Sequence, residues 1–350
     1  MRSTVIRTFL PTAAAIALAG AFAVCPFLPR AAATDTLGPA ATRRADFRRP
    51  ADIPVPADNP LTPRKVALGK LLFFDPLMSG SGTISCATCH NPGLSWGDGL
   101  PRAVGEARAP LPWRSPTVLG IAWADAFGWD GKFPDLESVA FTPITGVANM
   151  GRSEAELLRD IGAIPGYRRA FEDAMPGAGV TRRSIELALG AYQRTLVPTE
   201  SPFDRWVAGD DGAISVAAKQ GFDLFTGRAG CVQCHSGWRF TDDSFHDIGT
   251  ASGDHLGRGR LFPTSPALRY AFKTPTLRNV AQRAPYMHDG SMKTLPDVIA
   301  LYDRGGIERP ERDRLIRPLA LNVEERTQLI AFLETLTGDP VDVAMPVLPR

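Results

Sequence analysis

Four of the five cysteines stand in two short segments of identical pattern. The segments are Cys86-Ala87-Thr88-Cys89-His90 and Cys231-Val232-Gln233-Cys234-His235. C-x-x-C-H is the attachment sequence of c-type haem, in which two thiols form thioethers with the porphyrin and the adjacent histidine ligates the iron. The pattern therefore predicts two covalently bound haem c groups, held by Cys86, Cys89, Cys231 and Cys234 and ligated by His90 and His235.

Other uses of paired cysteines explain this pattern less well. In an exported protein the default is a disulfide framework, and a zinc site is a second alternative. Zinc would require both cysteine pairs to converge on one metal, and the two adjacent histidines would then have no role. The two segments also account for every cysteine except Cys25.

The sequence around the two segments is repeated as well. Related pairs are Gly69-Lys70-Leu71-Leu72-Phe73 with Gly221-Phe222-Asp223-Leu224-Phe225, Ser115-Pro116-Thr117 with Thr274-Pro275-Thr276, and Trp129-Asp130-Gly131 with His288-Asp289-Gly290. Leu136 and Leu295 follow at the same offset of 159 residues. Strand signals are scarce, so we expect a mainly α fold of two cytochrome c-like haem domains with few or no strands.

Capping signals place several of the helices between these motifs. Thr62-Pro63 and Thr181 each begin a helix, and Ser153-x-x-Glu156 and Asn322-x-x-Glu325 have the spacing of capping boxes. The expected organisation is a signal peptide at 1–33, a linker or arm at 34–60, haem domains at 61–205 and 206–340, and a tail at 341–350.

The N-terminus has the features of an export signal. Arg2 and Arg7 precede an apolar run at 10–24 that is short for a membrane span, and cleavage after Ala33 fits a small-residue rule. A retained anchor and a lipoprotein attached at Cys25 are the alternatives. We therefore expect a periplasmic protein with no membrane span in the mature chain. The formal charge of +2 gives no argument for nucleic-acid binding.

The chain resembles the bacterial dihaem cytochrome c peroxidases, including their MauG-like branch. Besides the two haem motifs, the residues that carry the resemblance are Phe127-Gly128-Trp129-Asp130-Gly131, Thr274-Pro275-Thr276-Leu277-Arg278-Asn279 and Ala284-Pro285-Tyr286-Met287-His288-Asp289-Gly290. The resemblance implies an N-terminal haem that meets peroxide and a C-terminal haem that receives and stores electrons.

The same resemblance implies roles for single residues. Trp129 matches the tryptophan between the haems, although a core tryptophan is the alternative. Tyr302 stands where the peroxidases have methionine and the MauG-like branch has tyrosine, as the second axial ligand of the C-terminal haem. Met287, Met292 or His288 could ligate instead.

The chain departs from the family around the N-terminal haem. Val139 and Asn149 stand where the family has a distal glutamine and a distal glutamate, and an amide cannot shuttle the peroxide proton. Glu154 or Glu137 would be substitutes only under a different local alignment. A calcium site between the domains would use the carbonyl oxygens of Arg283 and Pro285, but its asparagine ligand falls at Arg114 or Ser115, which makes Ca²⁺ doubtful.

Three functions follow from these expectations. The leading one is a peroxidase that reduces hydrogen peroxide with electrons from a small cytochrome c or cupredoxin. The second is a MauG-like oxidase that modifies side chains of a protein substrate, and the third is a plain dihaem electron carrier. The sequence leaves the electron donor, the protein substrate and a homodimeric state open.

Overall fold

The computed structural model describes residues 44–106, 108 and 110–349. The predicted signal peptide and residues 34–43 of the predicted arm lie outside this range. The fold is mostly helical, as predicted, and two strands of two residues, β1 (Phe245–His246) and β2 (Phe272–Lys273), pair antiparallel. The α-helices are α1 (Pro63–Phe74), α2 (Cys86–Cys89), α3 (Leu136–Thr145), α4 (Glu154–Ala163), α5 (Pro165–Ala174), α6 (Arg182–Arg194), α7 (Pro202–Ala208), α8 (Val216–Thr226), α9 (Leu295–Asp303) and α10 (Val323–Glu334).

The N-terminal half of the described chain, which contains the first cysteine motif, is built on the crossing of α1 with α6. Helix α1 begins after Thr62, whose side chain accepts a hydrogen bond from the Lys65 backbone N–H, with Pro63 in the first turn. The helices cross at Gly69, where a Cβ atom would lie 1.9 Å from the carbonyl oxygen of Ala188. A residue without a side chain is therefore required at this crossing.

The C-terminal half, which contains the second cysteine motif, repeats this arrangement with α8 and α10. A Cβ atom at Gly221 would lie 2.0 Å from the carbonyl oxygen of Gln328. Helix α10 begins with the expected capping box, in which Asn322 and Glu325 bond to each other's backbone N–H groups. Helix α4 starts after Ser153 as expected, but the Ser153 side chain makes no capping bond.

The two ends of the described chain each pack against the distant half. Phe47, in the predicted arm, is 2% exposed and its ring lies 4.8 Å from that of Phe240 in the core of the C-terminal half. Val341 and Val343 in the predicted tail pack against the core of the N-terminal half. The halves are therefore joined through their cores as well as through the connecting chain. None of the helices in the described range combines the length and apolar character needed to cross a bilayer.

Candidate dihaem site

A cavity of about 750 Å³ lies between the halves and contains both cysteine motifs. The motif residues that line it are Cys86, Cys89, His90, Cys231, Cys234 and His235. Its volume is in the range of sites that enclose organic ligands. The fold therefore brings the two predicted attachment segments to one shared space.

Local hydrogen bonds shape both motifs in the same way. The backbone N–H of His90 donates to the Cys86 carbonyl at 2.9 Å, and that of His235 donates to the Cys231 carbonyl at 2.9 Å. On the ring, Nδ1 of His235 lies 2.8 Å from the Phe240 carbonyl oxygen, and Nδ1 of His90 lies 3.4 Å from that of Trp96. Bonding at Nδ1 leaves Nε2 as the nitrogen available to a metal.

The protonation states of these side chains suit haem attachment. Burial lowers the pKa of both His90 and His235, which favours the neutral imidazole that binds a metal. Burial also raises the pKa of the Cys86 and Cys231 thiols to about 12, so that without a bound group both thiols are protonated at neutral pH. The four motif cysteines are free thiols, and no group of potential ligands within the described residues combines both pairs.

Two arginines present positive charge to the cavity. Arg114 and Arg283 line it, and neither forms an ion pair with a carboxylate in the described part of the chain. The Nε atom of each is buried without a hydrogen-bond partner. Buried cations need compensating anions, and each haem carries two propionates. The cavity therefore fits haem in its charge as well as in its volume and its histidines.

Trp129 lies in the same cavity and is fixed from both halves. It is 9% exposed, packs with Phe272, and its indole Nε1 donates to the carbonyl oxygen of Arg114 at 2.9 Å. Its own carbonyl accepts a 2.9 Å bond from the backbone N–H of Lys273. The ring is thus held rigidly within the space that the two motifs share.

Tyr302 lines the cavity from helix α9. Cys231 and Cys234 line the same cavity. Burial raises the pKa of the Tyr302 phenol, and the two cysteines add to the rise. Met287 also lines the cavity. His288 stacks on Phe272 at 3.8 Å, with its Nε2 3.3 Å from Nδ1 of His255.

The N-terminal half has a proline at the position equivalent to Tyr302. The offset of 159 residues that relates Leu136 to Leu295 relates Pro143 to Tyr302. Pro143 lines the cavity together with Val139 and Asn149, and it has no atom that can ligate iron. The signal for this difference in the sequence is the repeat offset of 159 residues.

The acidic residues suggested as substitutes for the distal glutamate are engaged elsewhere. Glu137 is buried and accepts hydrogen bonds from Arg194 at 2.5 and 2.9 Å. Glu154 is exposed and pairs with Arg182 at 3.3 Å. Asn149 therefore faces the cavity without help from either carboxylate.

The expected calcium ligands do not fit a calcium ion. The carbonyl oxygen of Arg283 accepts a 2.9 Å hydrogen bond from Nη2 of Arg114, and the Ser115 hydroxyl donates to the Cys89 carbonyl at 2.9 Å. Calcium takes six to eight oxygen ligands, whereas this position holds a guanidinium. The sequence marked Arg114 as an obstacle to calcium but gave no sign of the bonds it makes.

Comparisons with known proteins agree with this geometry. A family model described as di-haem cytochrome c peroxidase matches residues 63–212, and a cytochrome c model matches residues 218–337. The methylamine utilization protein MauG of Methylorubrum extorquens is 49% identical over 98% of this chain and 100% of that protein. The cytochrome-c peroxidase IdrP1 of Denitromonas iodatirespirans is 36% identical over 85% of this chain and 88% of that protein.

A solved structure supports the same assignment. A MauG-like protein associated with microbial copper homeostasis superposes with a TM-score of 0.77 at 30% identity, covering 83% of this chain and 94% of that one. The chain therefore belongs to the di-haem cytochrome c peroxidase family and is a haem-dependent oxidoreductase.

Proposed function

We propose that this protein is a MauG-like oxidase, which uses hydrogen peroxide to oxidise side chains of a partner protein. The observation that carries the proposal is Tyr302, which lines the cavity beside Cys231 and Cys234. An anionic oxygen ligand favours ferric and higher iron states, whereas a methionine thioether raises the reduction potential. A haem ligated by Tyr302 suits storage of oxidising equivalents better than it suits receiving electrons from a small donor.

Each haem would be attached by one cysteine pair and ligated by the adjacent histidine. When bound, the two haems supply the one-electron redox chemistry that side chains alone lack. His90 and His235, neutral through burial, would offer Nε2 to the irons. Tyr302 would lose its proton on binding, because the ferric charge outweighs the burial that raises its pKa.

Trp129 would pass single electrons between the two sites. Its indole is rigidly held by the Arg114 carbonyl, and it lines the cavity that contains both motifs. Little reorganisation would then accompany each transfer. Asn149 and Val139 would shape the N-terminal pocket without moving a proton, because neither side chain can act as an acid or a base.

The names of the relatives and the predicted signal peptide support a proposal for the biological process and the cellular location. The relatives at 49% and 46% identity are named for methylamine utilization, and we place the partner protein in that process. We also propose export to the periplasm after cleavage near Ala33, and haem domains at 61–205 and 206–340.

Replacing Tyr302 tests the proposal. In the holoprotein, Tyr302→Met should raise the potential of one haem by on the order of 100 mV and abolish peroxide-dependent oxidation of the partner, measured by its mass change. Met292→Leu removes an alternative ligand that packs against the C-terminal core, and it should preserve both properties if Tyr302 is the ligand. An unchanged potential in Tyr302→Met would show that another residue ligates the iron.

Peroxide reduction with a small electron donor is the second candidate. Pro143 lines the N-terminal pocket where Tyr302 lines the C-terminal one, and it cannot ligate iron. Relatives at 34–36% identity are also named cytochrome c peroxidases. If this reaction is limited by proton transfer, Asn149→Glu should speed it by about 10²-fold or more. Rapid turnover of a reduced small cytochrome by the wild type, without oxidation of the partner, would favour this candidate over the first.

A further inference from the structure

Arg114 makes three hydrogen bonds, of which two reach the C-terminal half and one holds Trp129. Its guanidinium Nη2 donates to the Arg283 carbonyl at 2.9 Å, and its backbone N–H donates to the His288 carbonyl at 2.9 Å. Its own carbonyl oxygen accepts the Trp129 indole N–H at 2.9 Å. One residue of the N-terminal half thus fixes Trp129 and holds the 283–288 segment of the C-terminal half.

The surroundings of Arg114 are already positively charged. Burial, with the charge of the neighbouring Arg114 as a second cause, lowers the pKa of Arg283 to about 9. Nη2 of Arg283 is bonded to the Thr276 carbonyl at 2.5 Å, so this second cation is fixed in place. A divalent ion added here would be repelled by two guanidinium groups in a partly buried site.

Two of the oxygen atoms at this position make other bonds. The Arg283 carbonyl accepts from Arg114, and the Ser115 hydroxyl donates to the Cys89 carbonyl. Asp98 interacts electrostatically with Arg114; its Oδ1 accepts the Leu100 N–H at 3.0 Å, and its Oδ2 is buried without a hydrogen-bond partner. A calcium ion would need several of these oxygens at once.

We propose that Arg114 takes the place of a calcium ion between the two halves. Its guanidinium is bonded to the Arg283 carbonyl, the oxygen that the family resemblance implies as a calcium ligand, and a guanidinium keeps its charge at any accessible pH. Arg114 is therefore a positioning residue for Trp129, and the protein binds no calcium between its halves. Because the bridging cation is covalently part of the chain, a chelator cannot remove it.

The wild-type holoprotein provides the first test. After dialysis against calcium-free buffer it should hold fewer than about 0.1 Ca²⁺ per chain by elemental analysis, since the Arg114 guanidinium already occupies the Arg283 carbonyl and two guanidinium groups repel the ion. Its haem absorption and electron paramagnetic resonance spectra should be identical with EGTA and with added CaCl₂. A stoichiometric, tightly held calcium ion, or a spectral change on adding EGTA, would overturn the proposal.

Substitution of Arg114 provides the second test. Arg114→Asn removes the guanidinium and supplies an amide oxygen, so its affinity for Ca²⁺ should exceed that of the wild type by about tenfold or more. Its haem spectra should then depend on calcium. Arg64→Asn, at an exposed arginine of helix α1, is the matched charge-removal control and should behave as the wild type does.

A third variant covers the case in which Arg114→Asn fails to fold. Arg114→Lys keeps the positive charge, and it should exclude calcium and remain insensitive to EGTA. A folded Arg114→Asn that gains no calcium affinity would show that Arg114 does not take the place of the ion, and so would calcium binding by Arg114→Lys.

Discussion

The two halves of the chain present the same attachment segment to one cavity but place different residues opposite it. In each half a Cys-x-x-Cys-His segment follows a helix that crosses its partner at a glycine, Gly69 or Gly221. The position 159 residues before Tyr302 is Pro143, and both line the cavity. A phenol can ligate iron and a proline cannot. The shared elements explain how two haems could be held, and this one difference explains how their chemistry could diverge.

The electrostatic environments of the halves differ in a related way. In the N-terminal half, the charged residues around Glu137 are joined in a network away from the cavity, through Arg194, Asn59 and Lys65. In the C-terminal half, His246 lines the cavity between two carboxylates, with Nε2 2.8 Å from Asp242 and Nδ1 2.6 Å from Asp313. The charged side chains of His246, Asp242 and Asp313 therefore form ion pairs in the half that contains the second cysteine motif.

Removing one cysteine pair at a time should have the largest effect and would show which half holds which iron. Cys86→Ala with Cys89→Ala, and Cys231→Ala with Cys234→Ala, should each lower the haem content from about two to about one per chain. The first pair should remove a high-spin signal, because Pro143 cannot ligate, and the second a low-spin signal. The measurements are the haem assay of the denatured protein and electron paramagnetic resonance. Loss of the same signal from both variants would contradict the comparison.

The sequence predicts those motifs and their repeat because attachment chemistry is local and fixes residue types at fixed spacing. The capping signals at Thr62, Thr181 and Asn322 are equally local, and the helices begin where they indicate. The packing of Phe47 into the core of the C-terminal half depends instead on contacts across more than 150 residues. No periodicity within the 34–60 segment could reveal it.

The bonds of Arg114 were beyond prediction for the same reason. Its type and position indicated a conflict with calcium, but its partners, the carbonyls of Arg283 and His288, lie in the other half. Backbone carbonyls have no sequence signature. The identity of Arg114 therefore argued against a set of calcium ligands, but it could not show the hydrogen bonds that Arg114 makes in their place.

Breaking the buried ion pair of the N-terminal half should cost about 3 kcal/mol of unfolding free energy. Glu137→Gln leaves Arg194, which is 6% exposed, without its anion. Burial opposes ionisation of Glu137, but Arg194 and Asn59 outweigh it and hold its pKa below the ordinary value. The stabilisation should therefore be complete above about pH 5 and be lost as the pH falls through that lowered pKa. Denaturant unfolding at about pH 7 and about pH 3 measures this, and a pH-independent difference would refute it.

Adding a methyl group at either glycine crossing should cost about 1–3 kcal/mol, and the two halves should respond alike. Gly69→Ala and Gly221→Ala would each place a Cβ atom within about 2 Å of a backbone oxygen on the partner helix. The control is Gly162→Ala in helix α4, where the nearest atom would lie 4.0 Å away. That change should be neutral or stabilising by up to about 1 kcal/mol. Unequal costs at Gly69 and Gly221 would show that the repeated crossings are not equivalent in energy.

The smallest effect should come from His246, which has carboxylate partners on both ring nitrogens. His246→Gln should cost about 1 kcal/mol of unfolding free energy near neutral pH, since an amide can donate to only one of the two carboxylates well.

Asp242 raises the pKa of His246 most, and Cys234 and Asp313 raise it further. In the holoprotein Cys234 would be a thioether and carry no charge, so the two carboxylates alone would keep the imidazole protonated.

A pKa that is raised in the folded state gives stabilisation that is fully present below the unfolded pKa of about 6.5 and is lost as the pH rises through the folded pKa. The difference between wild type and His246→Gln, measured by denaturant unfolding, should therefore shrink between about pH 7 and about pH 10. Glu137→Gln should show no change across that alkaline range, because its carboxylate is fully ionised throughout. If His246→Gln gave a constant difference at alkaline pH, the imidazole would be neutral in the folded protein, and His246 would form no ion pair with Asp242 or Asp313.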